Sequence, residues 1–301
     1  PPPKRTYINH MIFWRETGVA QAYDRSWKMA MFKVPSFTGF KSKEKPLFEG
    51  LSTFHWGELT EKNEIGKGSF GSVITARRAD GETIVVKRLY RDNERAKRLF
   101  AKEARILNGL SNRHIVKFKA ISTSPVAMML EYLYFDFEPF GTQGRVSSLE
   151  GFLDFVGDER QCVDGFSTLH SRIAEHVALG LDYLHSKDIV HRDLKPANVL
   201  VSNQHYCGIK NKAEFDQAFS QEPVICKLVD FGESRSALNQ TATLCQTMPN
   251  NFDRGTLIYN APELLSGNTS NLSIEHLKKT DIWSLGMLFF MLLNPDLPYP
   301  Y

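Results

Sequence analysis

The chain has 301 residues, 42% of them hydrophobic, 24% charged and 12% aromatic, enough for about two domains or two lobes around a cleft, which excludes a peptide-sized scaffold and a disordered or low-complexity chain. Lys and Arg number 37 against 34 Asp and Glu, a formal charge of +3, a surplus too small to predict a nucleic-acid partner or a membrane surface. Four cysteines, at positions 162, 207, 226 and 245, contain no Cys-x-x-Cys pair, so reduced thiols are expected rather than a zinc site.

Residues 1–57 carry nine Lys or Arg against four Asp or Glu, a basic excess confined to this stretch. Their aromatic and Met residues, among them Trp14, Tyr23, Trp27, Met29, Met31 and Phe32, exceed what a plain linker needs and favour a docking extension over the alternative of a solvated arm. The start at Pro1-Pro2-Pro3 in place of Met reads as a piece of a longer protein. From Phe54-His55-Trp56 onward the pattern changes, and a domain is expected from residue 58. Residues 64–65, 72–76 and 83–86 are β-branched runs separated by glycines and by the Asp80-Gly81 turn signal, which predicts an antiparallel meander.

Residues 94–110 place Leu99, Phe100, Ile106 and Leu107 on one face opposite charges, which predicts a helix crossing the sheet. Strands are expected again at 115–121 and 126–131, then helices at 148–155, 170–185 and 274–293. The apolar run 282–293 has 12 residues, short of the roughly 18 needed to cross a bilayer. It reads as a buried helix.

The first chemical signal is Gly66-Lys67-Gly68-Ser69-Phe70-Gly71, whose glycines let backbone amides approach phosphate oxygens. Alone it is an ordinary glycine-rich turn. A dinucleotide fold would need a helix after Gly71, and Ser72-Val73-Ile74-Thr75 is strand-like. Lys87 ends the next β-branched run, and Glu103 stands on the following helix, placed to pair with it. His191-Arg192-Asp193-Leu194-Lys195-Pro196-Ala197-Asn198 puts a carboxylate and a carboxamide on one short loop. Lys227-Leu228-Val229 then leads into Asp230-Phe231-Gly232, a second carboxylate at a strand end where a divalent ion could be held.

With Ala261-Pro262-Glu263 and Asp281-Ile282-Trp283-Ser284-Leu285-Gly286 following in order, residues 58–301 resemble the eukaryotic protein kinase family, serine/threonine type. The resemblance implies an α+β, two-lobed fold: a small antiparallel β lobe with one helix over 58–131, a hinge over 131–134, and a larger, mainly helical lobe over 135–301 whose later helices are cut short. It implies ATP and Mg2+ as ligands. Ile65, Gly66, Lys67, Gly68, Ser69, Phe70 and Gly71 would cover the phosphates, and Lys87, fixed by Glu103, would grip them. Val73, Val85 and Leu200 would enclose the adenine, with the hinge backbone around Glu131 and Leu133 bonding its edge. Val85 stands where members carry Ala, and two extra methyls narrow that slot. Asn198 and Asp230 would hold Mg2+, Asp193 would orient the substrate hydroxyl, and Lys195 would sit near the γ-phosphate.

The same resemblance implies a protein substrate and a cytoplasmic setting. Arg192 beside Asp193 resembles members switched on by an upstream kinase or by autophosphorylation, with Thr241, Thr243 and Thr247 as candidate acceptors and Thr256 structural. Phe54-His55-Trp56-Gly57 is faintly similar to the tyrosine-kinase-like group. Stretches 134–146 and 202–224 are longer than the family pattern and are expected on the surface, touching partners more than chemistry. The rival expectation is a pseudokinase or nucleotide-binding scaffold.

Overall fold

The computed structural model describes residues 46–67, 71–90, 93–158, 166, 169–236, 258–265 and 273–294. Gly68, Ser69, Phe70 and the four threonines named above lie outside them. The described residues belong to one compact unit that begins at Lys45. Segment 46–57 packs on that unit ahead of the boundary expected at residue 58. Phe54 N–H donates to Ile121 O at 3.0 Å, and Ile121 N–H donates to Ser52 O at 2.8 Å.

Strands β1 (Thr60–Lys67), β2 (Gly71–Arg77), β3 (Thr83–Leu89), β4 (Phe118–Thr123) and β5 (Val126–Glu131) form one antiparallel sheet in the order β1-β2-β3-β5-β4. Alternation sorts its side chains. Ile74, Ala76, Ile84 and Val86 are buried under Phe54 and Trp56, so Val73, Thr75, Val85 and Lys87 project from the opposite face. A Cβ on Gly71 would lie 1.9 Å from Arg88 O, so only glycine lets β2 start this close to β3.

Helix α1 (Glu94–Asn108) is capped by Asn93, whose Oδ1 accepts from Ala96 N–H at 2.8 Å. Its buried face, Phe100, Ala104 and Leu107, joins a core cluster that continues into the helical lobe. The β-branched residues expected to open a strand at 115 do other work. Val116 N–H donates to Leu228 O at 3.0 Å, and Leu228 N–H donates to His114 O at 2.8 Å, so this segment ties the two lobes together before β4 begins at Phe118.

The helical lobe contains α2 (Leu149–Asp158), α3 (Leu169–Ser186), α6 (Pro262–Leu265) and α7 (Ile274–Leu293), with the short strands β8 (Ile189–Val190), β9 (Val199–Ser202), β10 (Ile225–Leu228) and β11 (Arg235–Ser236). Pairs β9–β10 and β8–β11 are antiparallel. Five strands with one helix, α1, on one side and a helical lobe beyond them make the expected α+β, two-lobed arrangement.

The two long stretches are more than surface decoration. Residues 134–146 form the hairpin β6 (Phe135–Asp136) and β7 (Arg145–Val146), while 202–224 carry α4 (Gln204–Cys207) and α5 (Lys212–Gln221). Phe135, Phe137 and Tyr206 are fully buried. Phe140 of the first stretch meets Phe215 and Phe219 of the second at ring separations of 6.3 and 5.6 Å, and Phe137 stacks on Phe155 at 3.9 Å. Aromatic rings from both stretches bury against each other and against Phe152, Phe155 and Phe166 outside them.

Two buried histidines sit where α3 meets β10. His114 and His176 lie 4.4 Å apart. His176 Nδ1 accepts from Cys226 N–H at 3.3 Å, leaving Nε2–H to donate to Glu222 Oε1 at 3.2 Å. Burial, helped by His114, lowers the pKa of His176 to about 4 from 6.5, and burial lowers that of His114 too. The unfolded chain therefore takes up these protons first. Stability is intact above pH 6.5 and falls as pH drops toward 4, so urea unfolding at a series of pH values gives a falling midpoint, and a His176→Phe variant loses part of that slope. Phe137→Ala costs about 3–5 kcal/mol of unfolding free energy in the same measurement at neutral pH.

Candidate active site

Lys87 emerges from β3 opposite Val73 of β2 and Met128 of β5, on the sheet face turned toward α1. Its Nζ lies 2.9 and 3.0 Å from the two Glu103 oxygens and 3.0 Å from Asp230 Oδ1. Three groups separated by up to 143 positions meet at one nitrogen. Burial opposes the Lys87 charge, but Glu103 and Asp230 overcome it and hold the ammonium above its ordinary value. Glu103 is pushed up by burial, with Lys87 pulling the other way. At Asp230 burial is outweighed by Lys87, and the carboxyl stays below its usual range.

Asp230 follows β10 with φ of 66°, a left-handed conformation unfavourable to a residue with a Cβ by about 1–2 kcal/mol. Gly232 N–H donates back to its Oδ1 at 3.4 Å. Both Lys87 and Gly232 use Oδ1, which leaves Oδ2 for another cation.

The second group forms on the loop between β8 and β9. Asn198 Nδ2 donates to Asp193 O at 2.7 Å and to Asp193 Oδ2 at 2.8 Å. Lys195 Nζ lies 3.0 Å from the same Oδ2. Val229 N–H donates to Asn198 O at 3.1 Å, and His191 Nε2–H donates to Val229 O at 3.1 Å, so this loop is bonded to the residue preceding Asp230. His191 Nδ1 accepts from Asp193 N–H at 3.3 Å, which sets the imidazole tautomer, and its ring lies 5.2 Å from that of Phe231.

Asp281 of α7 holds this loop from below. Fully buried, its carboxylate accepts from His191 N–H and Arg192 N–H at 2.8 Å each and contacts His185 Nε2 at 2.9 Å. Arg192 has φ of 70°, a strained turn that these charge-assisted bonds stabilise. The Asp-Ile-Trp motif was visible in sequence; that its carboxylate is the loop's anchor was not.

Around the expected adenine slot, Leu200 pairs with Lys227 across β9 and β10, and Lys227 Nζ reaches Glu131 Oε1 at 2.7 Å. The same oxygen accepts from Lys117 N–H at 2.7 Å. Glu131 thus acts through its side chain as a tether between hinge and β10, a role missed in a motif valued for its backbone. Half-buried Val85 pairs with Leu130 and Thr75, and Leu133 is half-buried in the hinge. Gly66 pairs with Val73, while exposed Ile65 falls in a register shift beside it. Lys67 bonds Glu64 at 3.0 Å on the exposed end of β1.

The site thus joins a half-buried lysine to buried Glu103 and to Asp230, with a loop carboxylate held by Asn198 and Lys195 beside them. The protein kinase domain family matches residues 59–301, and the chain belongs to that family. It is 28% identical to serine/threonine-protein kinase 33 of Bos taurus over 239 residues, 78% of this chain and 42% of that protein. Its identity to serine/threonine-protein kinase chk-2 of Caenorhabditis elegans is 28% over 260 residues, 81% of this chain and 46% of that protein. With cysteine-rich receptor-like protein kinase 38 of Arabidopsis thaliana the figure is 30% over 293 residues, 95% and 38% of the two chains. The chain spans less than half the length of these relatives.

Replacing Asp281 by Asn turns an amide N–H toward donors that need an acceptor. Asp281→Asn is expected to lower unfolding free energy by about 3 kcal/mol, read by urea denaturation; a change near zero would show that the loop stands without its anchor.

Proposed function

We propose that this chain is the catalytic domain of a protein serine/threonine kinase that transfers the γ-phosphate of ATP to a hydroxyl of a protein substrate. The observation that carries this reading is the meeting of Lys87, Glu103 and Asp230 within 3.0 Å of one nitrogen. A protonated amine kept in place by two carboxylates is suited to bind phosphate oxygens, because its charge and direction are set before the ligand arrives.

Lys87 would bind the α- and β-phosphates, with the Gly66–Gly71 loop, including Lys67, Gly68, Ser69 and Phe70, over them. Val73, Val85 and Leu200 would line the base slot, and the backbone of Glu131 and Leu133 its edge. The oxygen Oδ2 of Asp230 and the Oδ1 that Asn198 leaves over when Nδ2 binds Asp193 are hard donors suited to Mg2+. Mg2+ bound there supplies charge neutralisation for the transferred group. Asp193 would accept the substrate hydroxyl and orient it in line, while Lys195, already against its Oδ2, would face the γ-phosphate. That lysine, with the names of the first two relatives, favours Ser/Thr over Tyr. Arg192 would respond to phosphate added by an upstream kinase or by the chain itself. No helix among the described residues is long and apolar enough to cross a membrane, and a cytoplasmic setting fits this reading.

A radiolabelled ATP transfer assay on the full chain tests it. Transfer to Ser/Thr peptides is expected to exceed transfer to Tyr peptides. Asp193→Asn is expected to lower the rate by about 100-fold or more with nucleotide affinity near wild type. Wild-type chain that binds nucleotide without transferring phosphate would instead mark a nucleotide-binding scaffold, and unchanged transfer in the variant would remove Asp193 from its role.

A further inference from the structure

The segment leaving the hinge is not held by close packing on both flanks. A cavity of about 720 Å³ opens against it, lined by Tyr132, Leu133, Tyr134, Arg145 and Gln204 among others. Beside the ring packing of Phe135 and Phe137 and the Arg145–Asp136 ion pair, a set of hydrogen bonds from the start of the 202–224 stretch holds the segment. Asn203 is fully buried, and its carboxamide bonds twice to the main chain of a single residue: Asp136 N–H donates to Asn203 Oδ1 at 2.8 Å, and Asn203 Nδ2 donates to Asp136 O at 2.8 Å. A side chain here supplies the paired bonds that a neighbouring strand would otherwise make.

Tyr134 is held by the same element. Asn203 N–H donates to Tyr134 O at 3.3 Å, and Tyr134 N–H donates to Gln204 Oε1 at 3.4 Å. Residues 134 and 136 are thus fastened directly after the hinge. On the other side of the clasp, Asn203 follows β9, the strand that carries Leu200 and is itself bonded to β10. The bonds therefore join the hinge exit to the strand that bears the expected floor of the base slot.

We propose that Asn203 is a positioning residue for the nucleotide base: by clasping Tyr134 and Asp136 to the end of β9, it sets the distance between the hinge and Leu200. This rests on the kinase reading of those two features and adds to it a residue outside the nucleotide site. The consequence is a separation of effects. Asp193, Asn198 and Asp230 are held by Asp281, Lys87 and their own loop bonds, none of which involves Asn203, so losing the clasp acts on base affinity and not on phosphoryl transfer.

The test is Asn203→Asp in the full chain, which keeps the size and the acceptor for Asp136 N–H but sets an oxygen against Asp136 O. The dissociation constant of a fluorescent ADP analogue with Mg2+, and the KM for ATP, are expected to rise about tenfold, the scale of one or two lost buried hydrogen bonds. At saturating ATP, kcat and the KM for a peptide substrate stay within about twofold of wild type. Gln204→Ala, which removes the half-buried acceptor that Tyr134 N–H and the Ser202 hydroxyl share, serves where Asn203→Asp fails to fold; it is expected to weaken nucleotide binding about two- to threefold. Wild type that binds and variants that bind equally well overturn the proposal alone, as does a fall in kcat that matches the rise in KM. Wild type that binds no nucleotide overturns the kinase reading and the proposal with it.

Discussion

The site rests on buried carboxylates that are made tolerable by what they accept. Asp281 lies out of reach of water and takes two backbone N–H groups and an imidazole nitrogen. Desolvation of an unaccompanied carboxylate would be prohibitive. With its acceptor capacity filled, it stabilises the left-handed turn at Arg192 and so decides where Asp193 stands. Through Val229, bonded both to Asn198 and to His191, the same constraint reaches Asp230. Helix α7 therefore governs groups on two separate loops.

From the other lobe, Lys87 makes the complementary link. An ammonium between Glu103 and Asp230 joins β3, α1 and the residue after β10 by charge, while Glu131 and Lys227 join the hinge to β10. Glu103, Glu131 and Lys227 lie largely out of solvent, unlike the surface pairs whose contacts contribute little. The segment 114–116, bonded to Leu228, adds a main-chain bridge. The candidate site groups are thus placed by a few polar bonds laid across a continuous apolar core, and small shifts at any of them move the rest.

Much of this was legible from residue order. The helices over 94–108, 169–186 and 274–293 follow their apolar spacing closely, and strand 126–131 begins and ends where its β-branched and apolar run does. The motifs named Lys87, Glu103, Asp193, Asn198 and Asp230. What they did not reveal was partnership. Glu131 looked like a hinge residue known by its backbone, yet its carboxylate is the tether. Ile115 and Val116 have strand-forming side chains and are used to bridge the lobes instead, because local propensity does not say which edge a segment meets.

The long stretches show the same division. Resemblance to the family marked 134–146 and 202–224 as longer than its pattern and implied surface loops, whereas Phe135, Phe137 and Tyr206 are in the core. Aromatic rings far apart in the chain bury each other only once both stretches fold back, which no periodicity within either one encodes. By itself the sequence determined the elements, their order and the chemical types at the site. Tertiary structure alone decided which groups touch, since hydrogen bonds and ion pairs across more than a hundred positions depend on distances that only the packed chain creates.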